Sequence, residues 1–222
     1  MTFADSPYFA SLGQLTTSLP RLANALRQAE EQRARRAAAL LSGARFKGLD
    51  EMLRHFDELL HEFAAEPALD RLAFLIDRSR ADFETATEAT LSGYVAVAAD
   101  AMRDVMEIEN LMLDFAITPA HVDEWLTANR GTLLNRFGPA TVRKRLHAAG
   151  EGAYATTAES VDYRAHSAAL HVGPHPDPVA GRGFSTEQGW GGDAGFWEIF
   201  EHARRLRRAI RRLTGVLALA FR

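Results

Sequence analysis

Apolar residues along this chain recur at steps of three and four, the period of a helix with one buried face, and no stretch alternates long enough to read as a strand. The first such stretch runs from Leu19 to Leu41, with Leu22, Leu26 and Leu40 among alanines and charged residues and Ser42-Gly43 as its stop. Residues 49–64 repeat Leu49, Met52, Leu53, Phe56, Leu59, Leu60 and Phe63, so a helical hairpin is expected within residues 1–66. Pro67 marks the next start. Thr118-Pro119, a cap and a first-turn proline, opens a short helix through Val122, Trp125 and Leu126. Gly138-Pro139 opens another, ending at Ala149 before Gly150. A last helix from about Asp193 to Ala220 buries Phe196, Phe200, Leu206, Ile210, Leu213 and Leu217. The expected fold is all-α, an up-and-down helical bundle over 67–222 with the N-terminal hairpin packed on it or appended to it.

Residues 68–116 carry the longest helical signal, with a break expected near Arg78–Asp82 or at Ser92-Gly93. Its second half is apolar in nearly every direction, which marks a central helix. Asp100, Arg103, Glu107, Asn110 and Asp114 nevertheless fall within a sector of about 80° at 100° per residue. Such a stripe is either one solvated edge, with Arg103 and Glu107 as an i,i+4 pair, or one wall of a polar cleft.

A second stretch supplies candidate chemistry. Thr156 and Glu159 have capping-box spacing, and Gly173 and Pro174 end the helix they open. Val161, Ala165, Ala168, Ala169 and Val172 form its apolar stripe. Ser160, Arg164, Ser167 and His171 form a separate polar one. Arg164 and His171 are two turns apart and point the same way, roughly 10 Å from each other at 1.5 Å per residue. A guanidinium and an imidazole directed into one cleft can hold a phosphate and move a proton. Residues 172–195 follow with seven Gly and three Pro, a long loop that reads either as a lid or as plain disorder.

Composition narrows the classes. The chain has 222 residues and no Cys, which excludes disulfides and thiolate catalysis and permits a reducing cytoplasm. No signal peptide or membrane span is expected, and cytoplasmic location is the expectation. The net charge of −3 hides an asymmetry. Residues 1–49 are net +4, 50–124 net −13, and 125–222 net +6, so an anion is expected to bind to the C-terminal half. Much of that charge is Arg204, Arg205, Arg207, Arg208, Arg211 and Arg212. The cluster reads as a solvated helix face, as an RNA-tracking surface using Arg204, Arg205, Arg208, Arg211 and Arg212, or as a membrane-surface contact. His55, His61, His121, His147 and His202 are lone residues on amphipathic helices and read as surface or core-edge. His166 and His171 diverge by about 140° on a helix and His175 lies past the Gly-Pro break, so no helical pair presents two ligands together and neither metal nor cofactor is expected.

Arg164, six intervening residues and His171, late in an all-α chain, resemble the Arg-x4-6-His pattern of the HEPN superfamily of helical-bundle proteins. Tyr163-x3-Ser167-x3-His171, closed by a Pro-containing turn, is also similar to a bacterial family of uncharacterised proteins. There an upstream helix carries Arg-x3-Glu, matched here by Arg103 and Glu107. The resemblance covers roughly residues 68–220. Active members usually carry a polar residue directly after the Arg; here Ala165 follows, with His166 one position later. The resemblance implies metal-independent RNA cleavage by a homodimer, often as a toxin or abortive-infection effector with an antitoxin or regulatory partner.

The chemistry can be argued from the side chains themselves. Imidazole suits the base or acid role in ribose 2′-hydroxyl attack, and Arg164 offers a fork to the developing phosphorane charge. Ser167 can hydrogen-bond a phosphate oxygen or orient His171, and Glu107 or Asp104 can hold Arg164. The bland alternative is equally specific: Arg164 pairs with Glu107 in a buried network that joins two helices and catalyses nothing.

Overall fold

The central helix is central because almost every direction around it is apolar. In the structure, a computed structural model that describes residue 14 and residues 16–41, 45–151 and 195–220, it spans Val95–Ile117. In chain order the described helices are α1 (Pro20–Leu41), α2 (Arg45–Ala65), the single turn α3 (Pro67–Asp70), α4 (Ala73–Ser92), α5 (Val95–Ile117), α6 (Ala120–Thr127), α7 (Arg130–Arg136), α8 (Pro139–Ala148) and α9 (Gly195–Ala220). No strand occurs among the described residues, and the fold is an all-α bundle.

α5 packs chiefly against α9 and α4, with α8 on a third side. It buries Ala98, Met102, Val105, Met106, Ile108, Met112, Leu113 and Phe115, and the flexible methionines fill space between helices that meet at different angles. α9 answers with Phe196, Ile199, Ala203, Leu206, Ile210, Leu213 and Leu217, one stripe at helical spacing. The stripe of α2, from Leu49 through Phe56 to Phe63, belongs to the same hydrophobic cluster, with the rings of Phe56 and Phe83 of α4 4.9 Å apart. α1 is tied on by polar contacts. Arg33 meets Glu88 at 3.1 Å, and the Nη1 of Arg36 donates to the carbonyl of Thr90 at 2.8 Å.

The boundary between α4 and α5 falls at Gly93, and Arg78–Asp82 lies inside unbroken helix, which removes the first of the two expected break points. Gly93 has φ +84°, the left-handed conformation that ends a helix, and its N–H reaches the carbonyls of Ala89 and Thr90. A Cβ there would stand 2.8 Å from the Nη1 of Arg36. Gly93→Ala is therefore expected to destabilise the chain by about 1–2 kcal/mol, from left-handed strain plus displacement of Arg36, read as a lower midpoint in urea denaturation.

Two local expectations are corrected. Thr118 makes no side-chain cap for α6; Pro119 is the N-cap, and Thr118 contributes its carbonyl to the His121 N–H. α7 was not among the expected helices. Its signal is Asn129, whose side chain accepts from the Thr132 N–H at 2.9 Å. Gly138 precedes the first-turn proline of α8 because a Cβ there would lie 2.5 Å from the Leu134 carbonyl.

Candidate functional site

Arg164, His166, Ser167 and His171, the loop of 172–195 and the stop at Ser42-Gly43 lie outside the described residues. The described part of the expected site is the charged stripe of α5. In its N-terminal half Asp100 is exposed, and half-buried Arg103 sits 3.6 Å from Asp100 and 3.9 Å from Glu107. Asp104, which with Glu107 was one of two carboxylates expected to hold Arg164, is bound by Arg78 of α4 through two bonds of 2.5 and 2.8 Å. Beyond Glu107 the stripe turns inward. Asn110 and Asp114 are each only 2% exposed, so these two belong to no solvated edge. Neither amide atom of Asn110 has a hydrogen-bond partner among the described residues.

Between α4 and α5 the ionic residues enclose a cleft of about 270 Å³, lined among others by Arg78, Asp82, Asp100, Arg103 and Asp104. Burial pushes the Asp82 carboxyl up, and hydrogen bonding to Asp104 and the charge of Asp104 push it further, to about 7, against the pull of Arg78. Near neutral pH the cleft can hold and release one proton. A carboxyl raised in the fold stabilises it below its unfolded value of 3.8, and that contribution is lost as pH rises through about 7. Asp82→Asn is therefore expected to gain about 1–2 kcal/mol relative to the parent chain on going from pH 4 to pH 8, discounting for the half-exposed position, as read from paired denaturation curves.

The C-terminal half of α5 carries a different network. Asp114 accepts from Arg145 of α8 through Nε at 2.8 Å and Nη2 at 2.7 Å, and lies 2.9 Å from the Nδ1 of His121. Arg145 also donates to the Arg136 carbonyl and lies over the Phe137 ring, 5.4 Å from its centroid. The ring of His121 meets the same phenyl edge-on at 5.8 Å. Glu109, outside the expected stripe, is fully buried and 3.2 Å from Arg205 of α9. His202, read as surface or core-edge, is 1% exposed with its Nε2 3.0 Å from Glu198. Sequence spacing gave little signal for these groups. Asp114 and His121 are separated by the Thr118-Pro119 break, and Arg145 is 31 residues from Asp114.

The arginines of α9 divide. Arg204 is bound to Glu201 at 2.9 and 2.5 Å, Arg205 to Glu109, and Arg212 to Glu151. Arg207, Arg208 and Arg211 are exposed and have no ion pair among the described residues. No metal-ligating group of three is found among the described residues, and none of their helices is long and apolar enough to cross a membrane. Compared with protein-family models, curated proteins and solved structures, the chain matches none.

Proposed function

We propose that this chain is a HEPN-like, metal-independent endoribonuclease in which Arg164 and His171 act on RNA, working as a homodimer in the cytoplasm as a toxin or abortive-infection effector with an antitoxin or regulatory partner. The observation that carries the reading is the sequence pattern Arg164-x6-His171, whose spacing is that of one polar stripe on a helix with capping-box and Gly-Pro end signals, in a chain whose described residues form an all-α bundle. Arg207, Arg208 and Arg211, exposed and without an ion pair among the described residues, support it by supplying cationic surface for a phosphate backbone.

The reaction balances without a metal. The ribose 2′-oxygen attacks the adjacent phosphorus as a base removes its proton, and the bond from phosphorus to the 5′-oxygen breaks as an acid supplies a proton. A 2′,3′-cyclic phosphate and a free 5′-hydroxyl result. His171 serves as base or acid, and Arg164 stabilises the charge on the phosphorane oxygens. Incubating RNA with the protein in EDTA is expected to give cleavage, and His171→Ala is expected to lower the rate about 10²–10⁴-fold at unchanged folding. Cleavage unaltered by the substitution would remove the assignment.

A second reading, from a different class, is a non-catalytic interaction module or a binder of nucleotide-like ligands. It is favoured by the number of ionic groups on α5 that are engaged within the fold: Asp104 by Arg78, Glu109 by Arg205 and Asp114 by Arg145. Absence of cleavage in both parent and variant would support it.

A further inference from the structure

Arg207, Arg208 and Arg211 lie on a helix whose other arginines in this stretch, Arg204, Arg205 and Arg212, each have a carboxylate of their own. Arg207 and Arg211 are one turn apart and share a face, an arrangement of like charges that costs a few tenths of a kcal/mol when nothing lies between them. That face looks toward α2, which packs against α9. There the charges of Arg207 and Arg211 reach His55, a side chain only 20% exposed whose buried Nε2 has no hydrogen-bond partner among the described residues. On α2 itself the charged residues one turn either side of His55 are Glu51, 3.8 Å from Lys47, and Glu58, which pairs with Arg54 and lies 3.8 Å from the Nδ1 of His55. Of the charges that act on the His55 ring, the two guanidiniums of α9 outnumber the carboxylate of Glu58. The residues between the arginines, Leu206, Ala209 and Ile210, are turned into the core.

We infer that Arg207, Arg208 and Arg211, with His55 behind them, form the surface that carries the phosphodiester backbone of a single-stranded RNA, and that the grip tightens as His55 takes up a proton. The inference rests on the proposed RNA reading for the source of the phosphate. A protein interface is organised around a buried apolar centre, whereas this stretch presents guanidinium forks and no apolar anchor, which suits a string of phosphates. The proton coupling follows from the charges. Burial first, and then the guanidinium of Arg207 with that of Arg211 beside it, hold the His55 imidazole below its ordinary range, against the pull of Glu58. A phosphate lying on those guanidiniums cancels their field at the ring and favours imidazolium. By reciprocity, protonation of the ring favours phosphate.

The test is binding of a short, labelled 2′-O-methyl oligouridine to the full chain, followed by fluorescence anisotropy near pH 5.5 and pH 7.5 over a salt series. This probe lacks a 2′-hydroxyl and cannot be cleaved, so the result does not depend on ribonuclease activity. Arg207→Gln/Arg211→Gln is expected to weaken binding about tenfold and to lower the log–log salt slope by about 1.4, near 0.7 per single-strand phosphate contact. Arg21→Gln, an exposed arginine of α1, is expected to change affinity less than about twofold. The parent chain is expected to bind about threefold tighter at the lower pH, and His55→Gln to remove that difference while keeping the affinity at the higher pH. Failure of the parent chain to bind the probe, unchanged binding by the double variant, or a pH response surviving His55→Gln would each overturn the inference even if cleavage of natural RNA is found. Equal competition by polyglutamate at matched charge would overturn it in favour of an acidic protein partner. Arg207-dependent binding without any cleavage would sustain it and remove the ribonuclease reading.

Discussion

Arg145→Ala is expected to destabilise the chain by about 2–4 kcal/mol and to lower its melting temperature by about 5–12 °C, with helical circular dichroism retained below the transition. The reason is what the substitution leaves behind. Asp114 is 3% exposed at its side chain, and its two oxygens take both of the Arg145 bonds that span α5 and α8. With Arg145 truncated, a buried carboxylate keeps, among the described residues, only the His121 contact at 2.9 Å, and the Arg136 carbonyl and the face of Phe137 also lose a partner. Removing one member of a buried pair is costly because the other remains charged and desolvated; Arg145 is 29% exposed, so water can refill part of the gap, and the lower end of the range allows for that. The control is the double variant Asp114→Leu/Arg145→Met, which removes both charges at once and is expected to recover at least half of the loss. A double variant as unstable as Arg145→Ala would show that packing, and not the stranded charge, carries the cost.

Phe83→Ala is the other large effect, expected at about 3–5 kcal/mol, a substantial fraction of the roughly 5–15 kcal/mol available to a domain. Phe83 is fully buried where α4 meets α2, with its ring tilted 41° against Phe56 at 4.9 Å between centroids. Truncation opens a cavity between two helices that other cluster members also pin, so collapse around it is limited. Phe56→Ala added to it is expected to cost less than the sum by about 0.5–1.5 kcal/mol, since the ring contact can be lost only once, and a denaturant double-mutant cycle measures that difference. Full additivity would mean that the two rings contribute through separate parts of the core.

Local chemistry made much of the bundle legible. Gly93, Pro67, Pro139 and Gly150 act through their own backbone geometry, so the boundaries they set need no knowledge of neighbours. The stripes of α2 and α9 were equally readable, because a helix with apolar residues at three- and four-residue steps has one face to bury whatever covers it. α7 was missed because seven residues hold too little periodicity to register, and its cap Asn129 is a single polar residue among several.

The fate of the charges was not legible in the same way. Asp100 and Asp114 share a sector of one helix, yet one faces solvent and the other lies beneath Arg145 and His121, because only the arrival of α6 and α8 at the C-terminal half of α5 distinguishes them. Six arginines in nine residues of α9 look alike as a string, but among the described residues three found carboxylates on their own helix, on α5 or just after α8, and three did not. The sequence by itself determined most of the described helices, most of their ends and which faces must be covered, because those follow from backbone preferences and from the periodicity of apolar side chains within one element. Which polar residues were buried, which were paired and which were left to meet a partner depended on atoms from distant elements brought within about 4 Å, the range over which hydrogen bonds and ion pairs act, and only the tertiary structure decided that.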